Sequence, residues 1–122
     1  MKTMSQRAFT LVEIMIVVAF IALLCSLAIP AVMKSRLAAR KSACINNLRM
    51  IDGAKEQATM EYGLNEGGTV LPAHIDGYLK GGVDSVKCPA DATKSFATSY
   101  NINVVGTNPA CQNVPLEHKL EN

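Results

Sequence analysis

The chain has 122 residues, which is enough for one small domain together with a tail or an anchor. Its apolar fraction is 49% but its aromatic fraction is only 5%, an unusual balance for a purely soluble domain, because large aromatic side chains normally fill much of a core. The formal net charge of +2 argues against strong attraction to a polyanion, so we expect no nucleic-acid partner.

A short polar and basic segment, residues 1–8, precedes an apolar run over residues 9–29 in which Glu13 is the one charged residue. About 20 residues of helix cross the hydrocarbon core of a bilayer, so we predict a transmembrane helix over this run. Lys2 and Arg7 favour a cytoplasmic position for the preceding segment. The remainder of the chain would then lie outside the inner membrane.

Three other interpretations of this N-terminus compete. A cleaved secretory signal finds small residues at Ser26 and Ala28, but Pro30 follows closely and Glu13 interrupts the apolar region. A lipoprotein signal would use Cys25, but Leu24 stands where a small residue is expected. A plain membrane anchor accounts for the length of the run and leaves its one charge without a purpose.

Glu13 is the informative residue of the apolar run. A carboxylate inside a membrane span costs about 2.5–3.5 kcal/mol on insertion scales, and such residues usually have a partner. A cut between Ala8 and Phe9 would place a new ammonium group close to the same depth. The Phe9 amine of a neighbouring subunit, shifted along the helix axis, would then neutralise Glu13. Such a buried pair sets the stagger between subunits more than it adds stability.

The sequence RAFTLVE at residues 7–13, followed by the apolar run, resembles the prepilin leader of type IV pilins and type II secretion pseudopilins. The resemblance implies cleavage after Ala8 by a membrane aspartic peptidase, the prepilin peptidase. It also implies methylation of the Phe9 amine and an assembly role for Glu13. Members usually carry glycine before the cut, so the alanine predicts slower processing.

The same resemblance implies a structural role in a filament, most closely that of a type II secretion pseudopilin acting in protein export. The implied partners are other copies of the chain, further pilin-like subunits, the prepilin peptidase, an inner-membrane assembly platform and membrane lipid. The implied location is the inner membrane, with a single span and an extracytoplasmic C-terminal lobe. A type IV pilin for adhesion, motility or DNA uptake is one alternative, and a membrane-anchored periplasmic binding module is another.

We predict that residues 30–62 continue the helix, with a kink or local melting at Pro30, where pilin-like chains also carry a proline. The alternative is that Pro30 ends the anchor. Residues 31–62 are rich in good helix formers, and Gly63 is placed to end the helix. A narrow apolar stripe recurs every three or four residues at Leu37, Lys41, Cys44, Leu48, Ile51, Lys55, Ala58 and Tyr62.

Residues 63–122 form the predicted globular lobe, which is rich in turn-forming residues. We predict helical turns within residues 72–79, a strand over residues 95–104 and a returning strand over residues 110–114. The fold class is therefore α+β: a long N-terminal helix with a small antiparallel hairpin or sheet laid against it.

So small a lobe usually needs a covalent cross-link to be stable, and an exported chain lies in an oxidising space where disulfides form. We predict a disulfide between Cys88 and Cys111, worth about 3.5 kcal/mol on the chain-entropy model. Cys25 is expected to be a small apolar residue of the span, and Cys44 a free buried thiol. A bridge from Cys44 to the lobe is the alternative. Cys88-Pro89, Tyr100, Pro109-x-Cys111 and His118-Lys119-Leu120 resemble features of some short pseudopilins.

We expect no catalytic residues, no resident metal and no cofactor. The possible zinc ligands His74, Cys88, Cys111 and His118 follow no compact zinc spacing, so a disulfide is favoured. A Cys–His nucleophile would need a third orienting group and a pocket. Asp84 and Asp91 could bind calcium, as in some pseudopilins, but two acids without an acid-rich loop are a weak signal.

Overall fold

The computed structural model describes residues 7–121, so most of the predicted leader, including Lys2, lies outside the described residues. Helix α1 spans Leu11–Tyr62 and contains 52 residues. It begins two residues later than the predicted start at Phe9. Thr10 stands just before the first turn, where its side-chain Oγ1 accepts a hydrogen bond of 3.3 Å from the Glu13 N–H. This contact satisfies one of the N–H groups that a helix start leaves unpaired.

Helix α1 continues through Pro30 without a break. The alternative that Pro30 ends the helix is therefore wrong, and so is the predicted local melting. Proline has no N–H to donate to the carbonyl of Ser26. In the same turn, the Ser26 hydroxyl donates to the carbonyl of Leu23 at 2.7 Å. A bend of the axis at Pro30 stays a prediction.

The described residues fall into two compact units, the first ending at Arg36 and the second beginning at Leu37. The large apolar side chains of the first unit are exposed, as at Leu11 and Leu27, which are 77% and 71% accessible. The apolar part of α1 has a mean hydropathy of 2.8 and none of it is buried against protein. By length and composition, this helix could span a membrane.

In the second unit, the part of α1 after Leu37 provides one wall of the core. The central part of the predicted stripe is confirmed, because its members are buried: Cys44, Leu48, Ile51, Lys55 and Ala58. The outer members Leu37, Lys41 and Tyr62 are exposed. Gly63 ends the helix as predicted, with a φ of 60°, and the Leu64 N–H donates to the carbonyl of Thr59 at 3.1 Å.

Short elements cover this wall. Helix α2 spans Pro72–Ile75 and is followed by a 3₁₀ turn at Asp76–Tyr78, as predicted for residues 72–79. A second 3₁₀ turn spans Val83–Ser85, and helix α3 spans Phe96–Ser99. The core between them and α1 is formed mainly by Leu48, Ile51, Val70, Ile75, Leu79, Val86, Phe96, Tyr100 and Ile102.

The predicted antiparallel pairing is confirmed, but both strands are much shorter than predicted. Strand β1 spans Tyr100–Asn101 and strand β2 spans Ala110–Cys111, with Tyr100 opposite Cys111. Residues 96–99 are helical instead of extended. The Thr98 and Ser99 hydroxyls both donate to the Asp91 carboxylate, which a strand with alternating side chains would not allow. Beyond β1, Asn103 has a φ of 59°, which ends the strand.

Lys55 is the one lysine buried among the described residues, and it ties α1 to the loop between the strands. Its ammonium donates to the carbonyls of Ile102 at 3.3 Å and Val104 at 3.2 Å, and to that of Thr107. Burial lowers the pKa of Lys55, while the nearby Asp52 carboxylate acts in the opposite direction. The Lys55 ammonium thus donates a hydrogen bond to each of these three carbonyls.

Replacing Lys55 with methionine should lower the free energy of unfolding of the second unit by about 3 kcal/mol, because one buried and two partly buried carbonyls lose a charged donor. Denaturant titration of the full chain in detergent, followed by tyrosine fluorescence, measures the change. Lys41→Met is the matched control, because Lys41 is exposed on the same helix. That variant should stay within about 0.5 kcal/mol of the parent. Equal stability of the two variants would contradict a structural role for Lys55.

Candidate functional site

The predicted cleavage segment lies just before α1. Residues 7–10 have no regular secondary structure and are exposed, and Phe9 is 76% accessible. A peptidase must hold an extended stretch of chain, so exposed and irregular backbone is the kind of segment that is cleaved readily. The bond between Ala8 and Phe9 satisfies both conditions.

Glu13 lies in the first turn of α1, with its side chain exposed between exposed apolar neighbours. A carboxylate at this end of a helix interacts favourably with the partial positive charge of the unpaired N–H groups. No cation of the described chain forms an ion pair with it; the single ion pair among residues 7–121 joins Lys55 to Asp52. A cationic partner for Glu13 would therefore lie outside residues 7–121 of the same chain.

A second group of functional side chains lies entirely within the second unit. Cys44 projects from α1, Cys88 follows the 3₁₀ turn at Val83–Ser85, Cys111 lies on β2, and His118 lies in the turn beyond it. Cys44 and Cys88 are fully inaccessible, and the other two are at most 5% exposed. Their ligand atoms all lie within 4.8 Å of one another. We call these four residues the Cys3His cluster.

The sulfur–sulfur distances in the cluster are short. The Sγ atoms of Cys44 and Cys88 are 3.5 Å apart, and those of Cys88 and Cys111 are 3.8 Å apart. The Sγ of Cys111 is 4.0 Å from Nδ1 of His118. The pairing of Tyr100 with Cys111 in the sheet fixes the third cysteine relative to the strand before it.

Polar groups around the cluster hold its loops in place. The backbone N–H of Cys88 donates to the Ser99 hydroxyl at 3.1 Å, and that hydroxyl donates to Asp91 at 2.7 Å. Asn47 donates to the carbonyl of Lys87 at 2.9 Å and to the Tyr100 hydroxyl at 3.0 Å. These bonds join α1 and α3 to the peptide group between Lys87 and Cys88, and α3 also to the Asp91 side chain.

Burial raises the pKa of the Cys44 thiol and that of the Cys88 thiol. As free groups they would therefore be protonated at neutral pH. The thiolate is the nucleophilic form of cysteine, so these buried thiols are poor candidates for nucleophilic catalysis. Metal coordination or oxidation is the chemistry that the arrangement permits.

The structure brings together the two predicted disulfide partners, Cys88 and Cys111, and all four cysteines are free thiols in it. It also places Cys44 closer to Cys88 than Cys111 is. The disulfide therefore stays a prediction, and its alternative from Cys44 gains a geometric basis. Cys25 is exposed on the apolar part of α1.

His74, which the sequence groups with the possible zinc ligands, lies apart from the Cys3His cluster. Its ring stacks on Tyr62 at a centroid distance of 4.8 Å. Cys44 takes the fourth place in the cluster. The sequence does contain one indication that Cys44 belongs to the cluster: it lies on the predicted apolar stripe of α1, the face that the lobe covers.

Asp91, one of the two possible calcium ligands, accepts hydrogen bonds from neighbouring side chains of the lobe. Its carboxylate accepts from the hydroxyls of Thr98, Thr93 and Ser99 at 2.6–2.7 Å. These bonds hold the pKa of Asp91 well below its usual range. Asp84 is exposed on the second 3₁₀ turn. Calcium binding at these residues stays a prediction.

No protein-family model, no curated protein and no solved structure matches the chain.

Proposed function

We propose that the chain is a structural subunit of a type IV pilus-like filament, most closely a type II secretion pseudopilin acting in protein export. Prepilin peptidase would cut it after Ala8, and an inner-membrane assembly platform would draw the mature subunit into the filament. The observation that carries the proposal is Glu13, a single carboxylate among exposed apolar side chains at the start of α1.

The energy of that carboxylate supports a partner created by the cut. An unpaired carboxylate within a span costs about 2.5–3.5 kcal/mol. A plain membrane anchor would gain nothing from a residue with that cost. Cleavage after Ala8 leaves a cationic amine on Phe9, in the irregular segment just before the helix. In a staggered assembly, this amine of one subunit faces Glu13 of the next. The pair neutralises both charges and determines the axial offset between subunits.

The exposed apolar surface of the first unit supports the same proposal. Surfaces of this size on a soluble protein mark an interface or a membrane contact. Lipid would cover the surface before assembly, and the equivalent helices of other subunits would cover it afterwards. Five basic side chains suit contact with anionic lipid headgroups: Lys34, Arg36, Arg40, Lys41 and Arg49. The second unit would form the outer part of the filament.

Co-expression with a prepilin peptidase tests the proposal. The mature chain, extracted from membranes and analysed by intact and peptide mass spectrometry, should begin at Phe9 and carry a methyl group on its amine. Without the peptidase the chain should stay uncut. Ala8→Gly is the matched variant, and it should be cut at least as fast as the parent.

The competing interpretations of the N-terminus give different products. An ordinary signal peptidase would produce a chain that begins near Ile29, and a lipoprotein signal would produce one that begins at a lipidated Cys25. A membrane-anchored binding module would stay uncut with the peptidase present. Each of these products would contradict the filament proposal.

A further inference from the structure

We propose that Cys44, Cys88, Cys111 and His118 bind one zinc ion, which fastens the long helix to the loop at Cys88, to strand β2 and to the turn after β2. Zinc binding is independent of the filament proposal, because all four ligands belong to the second unit. The proposed site differs from the ligand set considered from the sequence, because Cys44 replaces His74.

The separations within the Cys3His cluster fit a tetrahedral ion. With zinc–sulfur bonds of about 2.3 Å, the sulfurs of a tetrahedral site lie about 3.8 Å apart. Two of the three sulfur–sulfur distances are 3.5 and 3.8 Å, and the sulfur–nitrogen distance from Cys111 to His118 is 4.0 Å. All the ligand atoms lie within 4.8 Å of one another, so small side-chain adjustments complete the tetrahedron.

The type and burial of the donors identify a structural site. Three thiols and one imidazole make up one of the usual closed zinc sets, with no position left for water or substrate. Soft sulfur donors in tetrahedral geometry favour zinc over magnesium or calcium. The four side chains are at most 5% exposed, which suits an ion that holds the fold together.

A disulfide accounts for the cluster less completely. A bond between Cys88 and Cys111 would use two of the four groups and leave the Cys44 thiol buried at 3.5 Å from Cys88. His118, also buried, would have no role in that arrangement. One zinc ion uses all four groups. Three cysteines in mutual contact with a histidine are therefore better explained by coordination than by a single bridge.

Hydrogen bonds hold the surroundings of the ligands in position. The Cys88 N–H donates to the Ser99 hydroxyl at 3.1 Å. Asn47, on the same helix as Cys44, donates to the Tyr100 hydroxyl at 3.0 Å, and Tyr100 is paired with Cys111 in the sheet. Outer contacts of this kind fix the orientation of metal ligands.

The binding step is balanced without an oxidant. Zn²⁺ forms three Zn–S bonds and one Zn–N bond, and the three thiols release three protons to solvent as they become thiolates. The imidazole binds in its neutral form. The completed site carries one excess negative charge, because three thiolates outweigh the two positive charges of the ion.

Metal analysis of the purified chain is the test. The full chain is extracted in detergent from cells grown with zinc, washed with a weak chelator to remove surface metal, and analysed by mass spectrometry for bound ions. We expect about one zinc per chain. Cys44→Ser and His118→Ala should each reduce the zinc content at least about tenfold. Cys25→Ser and His74→Ala, which change a cysteine and a histidine outside the cluster, should keep it.

A second measurement remains decisive if the cluster variants fail to fold. Co²⁺ bound to the parent chain should show the visible bands of a tetrahedral thiolate site. His118→Cys should keep the ion and raise the sulfur-to-cobalt charge-transfer intensity to about four thirds of the parent value, because a fourth thiolate replaces the imidazole. Zinc below about 0.1 equivalent together with no tetrahedral Co²⁺ spectrum would overturn the proposal. A Cys88–Cys111 disulfide in the purified chain would overturn it as well.

Discussion

Replacing Glu13 with alanine should leave the chain in the membrane but abolish filament assembly. Insertion becomes more favourable by about 2.5–3.5 kcal/mol, because the carboxylate no longer enters the hydrocarbon region. Assembly becomes less favourable by about 3–5 kcal/mol per contact, because the Phe9 ammonium of each neighbour is left buried without a partner. The two effects have opposite signs, so membrane fractionation and electron microscopy of filaments should separate them.

Two control variants distinguish charge from size and position. Glu13→Gln keeps the size of the side chain and removes its charge, so it should fail to assemble as the alanine variant does. Glu61→Ala removes an exposed carboxylate from the last turn of the same helix and should assemble normally. Normal filaments from Glu13→Gln would show that the carboxylate does not determine the stagger.

Removing zinc should strongly destabilise the second unit. Structural zinc contributes about 10–16 kcal/mol of apparent binding free energy in small zinc-finger peptides, where binding and folding are one equilibrium. This unit has a core of its own around Leu48, Ile51 and Ile75, so we expect a smaller effect. A loss of even about 3 kcal/mol would lower the melting temperature of so small a unit by at least about 12 °C.

Thermal unfolding of the full chain in detergent, with and without a strong zinc chelator, measures this loss. Adding zinc back under reducing conditions should restore the original melting temperature. Adding calcium back instead of zinc is the control, and it should leave the lowered melting temperature unchanged. Melting curves that are identical with and without the zinc chelator would contradict a structural metal.

The long helix and its buried face could be predicted because their signals are local. The apolar run, the absence of glycine breaks before Gly53 and the stripe from Cys44 to Ala58 each depend on residues a few positions apart. The same holds for the helix end at Gly63, whose positive φ glycine adopts without strain.

The interior of the lobe could not be predicted in the same way. Residues 96–99 alternate like a strand, but the hydrogen bonds of Thr98 and Ser99 to Asp91 bend the backbone into a helical turn. The Cys3His cluster joins three segments that are far apart in sequence, at Cys44, at Cys88 and at residues 111–118. The sequence favoured a bridge between Cys88 and Cys111 and left Cys44 as the alternative partner, because nothing in the sequence shows which segments cover the helix face at Cys44.

The identity and methylation of the first residue of the chain in purified filaments test the filament assignment most directly. Filaments would be isolated from cells that overproduce the chain with a prepilin peptidase and an assembly platform, and their subunits analysed by mass spectrometry. We predict filaments that contain this chain with a methylated Phe9 as its first residue. Filaments that lack the chain, or a chain confined to the membrane as an uncut protein, would contradict the account.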